Sequence, residues 1–275
     1  MSEQSSDGLG NSVRPTFTSA RRWEDGRLVY YLSTPDATYW DLHWKSELTA
    51  DFYAAAEKGD LSWFEEPFTA YLPRDGTILE AGCGLGQYVR ALSVRGYDCE
   101  GVEWGSNTVD AAKALLPDLA IRVGDVRHLD VPDGHYNAYI SLGVVEHAKE
   151  GPGAFLEEAS RILSPRGVLL VSVPFVHPLR RLKGKLGLFS DEILDEPFYQ
   201  YAFMADEMKD ILDANGFETV DLYPYDGLKG LKDELPLIRK LLSVNGVGWR
   251  LRAWLRRRQW LRRFGHMMLF VCFKK

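Results

Sequence analysis

The chain predicts an α/β protein: a doubly wound, mostly parallel sheet of Rossmann-like form. Three observations carry that expectation. Short apolar runs alternate with helix-period segments from residue 77 to residue 173. A turn with three glycines at alternate positions, Gly82-Cys83-Gly84-Leu85-Gly86, joins the first run to the first helical segment. An acid, Glu103, closes the second run 21 residues after Gly82.

The elements follow in order. Residues 1–20 are rich in Ser, Gly and Asn and read as a disordered tail. Residues 21–70 form an aromatic segment, including Trp23, Tyr39, Trp40, Trp44, Trp63 and Phe68, with loosely helical spacing around Leu48–Glu57, and read as a lid folding over the mouth of the ligand site. Strands are predicted at Thr77–Ala81, Cys99–Glu103, Ala120–Val123, Tyr136–Ser141, Gly167–Val173, Phe217–Leu222 and Met267–Phe273. Helices are predicted at Gln87–Val94, Ser106–Leu116 (opened by a Ser cap), Gly153–Leu163 and Ala205–Asn215, the last closed by Gly216. Residues 71–275 thus form one sheet domain. Helical insertions, 175–203 and 224–265, interrupt it before and after the sixth strand, where specificity is built in such sheets.

Composition narrows the class. The 275 residues are 45% apolar and 26% charged, ordinary values for a globular chain able to bury its own core. Three widely spaced cysteines, Cys83, Cys99 and Cys272, fit neither a disulfide framework nor a Cys-rich metal site. The N-terminus has neither basic nor apolar stretch of the secretory kind, and no apolar run approaches the ~20 residues that span a bilayer. The expectation is a cytoplasmic protein. Its net charge of −6 conceals an asymmetry, since Lys229–Lys275 carries 13 basic residues against 2 acids.

The glycine turn has rivals. A dinucleotide fold places a third glycine where Gln87 stands, and a P-loop needs a Lys that is missing here. Glu80, at the strand end, would repel a pyrophosphate but would welcome an ammonium and a sulfonium, as in S-adenosylmethionine. Glu103 can accept both ribose hydroxyl protons, and Trp104 can lie against adenine. Gly124-Asp125-Val126 ends the third strand, with Asp125 placed to accept from the adenine amine or to cap a short helix over Val126–Leu129. Cys83 reads as a small space-filler.

With these residues in place, Ile78–Gly86, Val102–Trp104, Gly124–Val126, Ala138–His147 and Leu163–Pro174 resemble the successive motifs of the class I S-adenosylmethionine-dependent methyltransferases. The resemblance spans roughly residues 70–224 and a final strand at Met267–Phe273. It implies an antiparallel last strand and S-adenosylmethionine as cofactor. The implied cofactor set is Glu80, Gly82, Gly84, Gly86, Glu103, Trp104, Asp125, Val126 and Leu142.

For the chemistry, Glu146-His147 follows the fourth strand, where acceptors approach in that family. His147 suits a general base for a hydroxyl, with a structural role as the other reading. Some quinone-pathway O-methyltransferases carry a metal on a Glu three residues before such a pair; Gly143 stands there, so no metal is expected. Ser141-Leu142-Gly143-Val144 lacks the Asn-Pro-Pro-aromatic signature, and no Pro-Cys nucleophile is present, which argues against DNA. Tyr199, Tyr201 and Phe203 alternate and could point into an acceptor pocket.

The expected activity is O-methylation of a small molecule or a carrier-linked sugar or lipid. RNA or protein methylation and a catalytically silent cofactor-binding partner are the alternatives. Trp249–Phe264 holds seven arginines, from Arg250 to Arg263, with Val247, Leu251, Trp254, Leu255 and Leu261 forming an imperfect apolar stripe. Three readings stay open for it: a solvated cap helix pairing with the acidic body, a peripheral membrane or phosphate contact, and nucleic-acid binding.

Overall fold

The computed structural model describes residues 20–189, 196–235, 237–238, 240 and 259–275. Residues 1–19 of the expected tail, and Arg250, Arg252, Arg256, Arg257 and Arg258 of the basic segment, lie outside the described residues, while Ala20 opens a strand rather than ending the tail.

Seven strands make the central sheet: β3 (Thr77–Ala81), β4 (Asp98–Glu103), β5 (Ile121–Val123), β6 (Tyr136–Leu142), β7 (Leu163–Pro174), β9 (Phe217–Tyr225) and β10 (Met267–Lys274). Their order is β5-β4-β3-β6-β7-β10-β9, which bears out the doubly wound fold. Strands β3 to β7 pair in parallel; β10 runs antiparallel to both β7 and β9. The reversal at β10 is the one the family resemblance implied.

Alternation along each strand divides the core. Ile78, Ile140, Leu170 and Leu269 face one side, under α2 (Glu65–Tyr71) and α3 (Gln87–Val94). Leu79, Tyr139, Leu169 and Phe270 face the other, with Leu156 of α5 (Gly153–Ile162) and Leu212 of α7 (Ala205–Ala214). Each such side chain contributes roughly 1.5–3 kcal/mol on burial, and both faces being covered explains why the strands read as continuous apolar runs. The three cysteines are free and buried; Cys83 packs against Gly101, where an added Cβ would meet its Sγ at 2.6 Å.

The N-terminal segment departs from expectation. Its helix, α1, spans Ala37–Glu47, while residues 50–55 are turns leading to a 3-10 turn at Ala56–Lys58. Asp36 caps α1 by accepting from the Tyr39 N–H at 2.8 Å. Before it, β1 (Ala20–Glu24) and β2 (Arg27–Tyr31) form a hairpin, and β2 pairs with β8 (Phe198–Ala202). The first insertion is therefore not purely helical. Its helix α6 (Pro178–Lys185) is followed by a strand that completes a second, three-stranded sheet with the hairpin.

A buried ion cluster ties these parts to α8 (Gly227–Glu234). Arg180, wholly enclosed, bonds Glu234 at 3.1 Å, and Lys183 and Arg21 reach the same carboxylate at 2.7 and 2.5 Å. Burial alone would raise the Glu234 carboxyl; Lys183, Arg21 and Arg180 outweigh it and hold it below the usual range. Of the basic segment, Gln259–Phe264 is a 3-10 turn rather than the predicted α-helix. Leu261 is buried there and Arg262 pairs with Glu66 at 3.6 Å.

Candidate active site

The glycine turn leaves β3 and folds onto the end of β4. The Gly82 and Cys83 N–H groups both donate to the Val102 carbonyl, at 2.8 and 3.0 Å. Gly82 adopts φ +75°, and an added Cβ would meet Val144 at 2.5 Å, so only glycine lets this backbone line the cavity. Glu103 binds the turn from below: its carboxylate accepts from Gly84 N–H and from Gly105 N–H, each at 2.9 Å. Burial lifts this carboxyl above its usual range despite those donors. A carboxylate offers about four acceptor positions, more than these backbone donors fill.

A cavity of about 470 Å³ opens beside this turn, at the carboxyl ends of β3, β4 and β6. Gly82, Glu103, Trp104, Asp125, Val126 and Leu142 line it, and so does His147. The structure thus brings together most of the residues read from the sequence. Three of them stand elsewhere. Glu80 is enclosed beneath the turn and accepts from Val89 N–H at 3.2 Å, serving an otherwise unpaired amide in the first turn of α3. Burial pushes it up to about 8. Gly86 packs on Leu119 and Ile121, and Gly84 lies beneath Trp44, whose ring an added Cβ would meet at 2.3 Å.

Asp125 is not a free acceptor. It takes Arg127 N–H and Nε–H at 2.9 Å and Nη2–H at 2.7 Å, and that guanidinium holds it below the usual carboxylate range. Residues Val126–Leu129 form no helix, so Asp125 caps a turn instead. Arg127 also lies 5.2 Å over the Trp104 ring, giving Trp104 a cationic neighbour that its sequence position did not announce.

On the acceptor side, the 3-10 turn Val145–His147 presents His147 to the cavity. Its Nδ1 is 2.9 Å from the Tyr199 carbonyl oxygen, so the neutral ring donates from Nδ1 and keeps Nε2 as its acceptor. Burial is the main reason the ring is pushed down to about 4, and it stays neutral at physiological pH. Trp40 and Tyr199 meet it edge-on at 4.9 and 4.8 Å. Of the three alternating aromatics in the insertion, only Tyr199 approaches the site. Tyr201 donates to the Lys149 carbonyl and Phe203 belongs to the core. Phe198 lines the cavity in their place.

An aromatic cover over the cavity is expected from the sequence, but its helix lies earlier than the spacing at Leu48–Glu57 predicts. Trp40 and Trp44 line the cavity from above, four residues apart on one face. Tyr53 donates to the Leu85 carbonyl within the glycine turn at 2.6 Å. Thr34-Pro35-Asp36 carries the signal of a helix start, which the apolar spacing further along outweighs in the sequence.

Comparison with known proteins agrees with this geometry. Residues 79–171 match the methyltransferase domain family. A probable S-adenosylmethionine-dependent methyltransferase of Mycolicibacterium smegmatis is 31% identical over 144 residues, 52% of each chain. A 2-methyl-6-phytyl-1,4-hydroquinone methyltransferase of Synechocystis is 28% identical over 182 residues, covering 62% of this chain and 52% of that one. The chain therefore spans about half the length of the curated relatives it matches. Among solved structures, a chain of the Haloferax volcanii complex between the Trm112 methyltransferase activator and a methyltransferase superposes with a TM-score of 0.57. It is 15% identical, covers 88% of this chain and 96% of that one, and supports the fold. Residues 79–171 therefore carry a methyltransferase domain, on a sheet and glycine turn of the form seen in S-adenosylmethionine-dependent methyltransferases.

Proposed function

We propose that the chain methylates an oxygen of a planar small molecule, or of a carrier-linked sugar or lipid, with S-adenosylmethionine as donor. The cavity fits that cofactor on its own chemistry. Glycine backbone lines it where a Cβ would clash, and Glu103, with acceptor capacity to spare, ends β4 beside it. Gly82, Glu103, Trp104, Val126 and Leu142 would hold the cofactor, which when bound supplies an electrophilic methyl on a sulfonium. Glu80 and Gly86 support the turn rather than touch the ligand, and Asp125 acts together with Arg127.

The observation that carries the oxygen reading is His147. A neutral imidazole, fixed by the Tyr199 carbonyl and caged by Trp40, shares one cavity with Glu103. Its Nε2 accepts the hydrogen bond of an acceptor hydroxyl and aligns the oxygen lone pair, which is the main contribution positioning can make. The low basicity of the ring limits it to accepting the proton as the hydroxyl becomes acidic. Trp40, Trp44 and Phe198 supply flat apolar faces for a ring-shaped acceptor, in keeping with the hydroquinone named for the Synechocystis relative. We take residues 21–70 as a lid and 175–203 and 224–265 as caps. Arg250–Arg263 would be the element that meets a phosphate-bearing acceptor or a membrane, and the protein a cytoplasmic one.

Methyl transfer from labelled cofactor tests this, with phenolic extracts, RNA and protein offered in parallel. His147→Ala should lower turnover at least ~10²-fold with cofactor affinity retained. An unchanged rate returns His147 to a structural role. Label entering only RNA or protein would replace the acceptor class, and binding without transfer would leave a silent cofactor-binding protein.

A further inference from the structure

Helix α6 is inside out. Its buried side carries charge: Arg180 bonds Glu234 and approaches Asp233 at 3.4 Å, Lys183 reaches Glu234, and Gly184 lies beneath Trp23. Its outer side carries leucines. Leu182 is 53% exposed, Leu186 62% and Leu188 60%, three large apolar side chains within seven residues. At about 100° per residue, Arg181 and Lys185 fall on the same outer arc, beside Leu182 and Leu186, and both are exposed. No acid occurs between Phe175 and Phe189. Leu237, 70% exposed, follows α8, which the ion pairs fasten to α6.

The leucines cannot simply turn inward. Rotating α6 would strip Arg180 of Glu234 and Asp233 and leave buried charges unpaired, which is far costlier than three wet leucines. Single exposed leucines are ordinary, but a rigid row of them flanked by cations is a contact surface.

We propose that α6 and the Leu186–Leu188 turn dock the protein on an anionic membrane. The leucines enter the headgroup–acyl boundary, while Arg181 and Lys185 meet lipid phosphates. The acid-free composition of Phe175–Phe189 and its outward cations favour an anionic lipid surface over a protein groove. β8, the strand that ends this insertion, carries Phe198 to the cavity, so docking holds the acceptor side near the bilayer. This extends the membrane reading of the arginine segment to a surface with its own residues, and it needs neither that segment nor the identity of the acceptor.

The test is co-sedimentation of the full chain with vesicles of phosphatidylcholine alone, or with phosphatidylglycerol added, at low and high salt. Binding is expected to the anionic vesicles and to weaken with salt. Leu182→Gln, Leu186→Gln and Leu188→Gln together should cut it about tenfold or more, since each buried methylene favours the membrane. Arg181→Glu with Lys185→Glu should abolish it while leaving cofactor affinity and circular dichroism unchanged. Failure of the wild-type chain to sediment with anionic vesicles overturns the proposal. So does a leucine variant that binds like wild type; if Arg256, Arg257 and Arg258 changed to Gln then abolish binding, the arginine segment alone is responsible.

Discussion

Asp41 on α1 caps a helix that is not its own. Its Oδ1 accepts the backbone N–H of Thr108 at 2.9 Å and the Thr108 hydroxyl at 2.8 Å, and its Oδ2 accepts from Asn107 at 2.7 Å. The helix so capped, α4 (Ser106–Leu115), has no side-chain cap at Gly105, and the Ser106 cap read from the sequence is absent. Glu103 and Trp104 immediately precede it. The seat of α1 and the edge of the cavity are therefore one stretch of chain.

Removing that seat should loosen the lid without unfolding the sheet. Asp41→Ala forfeits a cap worth about 1 kcal/mol and leaves Thr108 N–H unpaired. Stopped-flow fluorescence, with Trp40 and Trp44 as reporters, should show S-adenosylmethionine leaving several-fold faster. A dissociation rate equal to that of the wild type would mean that α1 does not gate the cavity.

The glycine turn and Trp44 make a coupled pair. Gly84→Ala forces a Cβ into the Trp44 ring and places alanine at φ +54°, a conformation that costs an L-residue ~1–2 kcal/mol. Cofactor affinity should fall. Adding Trp44→Ala should restore part of it, because the steric component disappears and the backbone strain remains. Strictly additive effects in this double-mutant cycle would deny the contact.

The pH profile should betray the burial of His147. Its folded pKa, about 4, lies below the ordinary 6.5, so the folded protein binds fewer protons than the unfolded chain between those values. Stability contributed by the neutral ring is present above pH 6.5 and is lost as pH falls toward 4. The acid limb of kcat should accordingly sit near pH 4–5 rather than at 6.5. A limb at 6.5 that vanishes in His147→Ala would show the ring to be more open to water than its packing implies.

Glu234 receives three cations, of which Arg180 is enclosed with it while Arg21 and Lys183 keep one side in water. Glu234→Ala takes the shared carboxylate from Arg180, Lys183 and Arg21 and leaves buried Arg180 only Asp233, at 3.4 Å, as a counter-charge, at a cost of up to about 3–5 kcal/mol. Urea denaturation should show the loss as a lower midpoint. A change under 1 kcal/mol would mean that the cluster adjusts by admitting water.

Much of the sheet was legible because each strand is a short apolar run bounded by turn residues. Thr77–Ala81 and Gln87–Val94 are where their patterns put them. The helix within the N-terminal aromatic segment was not legible, for a physical reason. α1 buries no residue fully, so it has no apolar stripe to read, and its stability comes from Asp36, Asp41 and aromatic contacts across the cavity. The pairing of β2 with β8 joins Val29 to Tyr201, a partnership that no local periodicity encodes. At the site, Glu103 was readable from its place at a strand end. The pairing of Asp125 with Arg127 was not, because two residues of opposite charge near each other in sequence specify no geometry.

Titration calorimetry of the wild-type chain with S-adenosylmethionine tests the account most directly. A single site with micromolar affinity is expected, within the ordinary range for a metabolite. Glu103→Ala should weaken it by roughly 1–3 kcal/mol, because ribose hydroxyls and the Gly84 and Gly105 amides all lose an acceptor. Tight binding of NAD with none of S-adenosylmethionine would contradict the account at its centre.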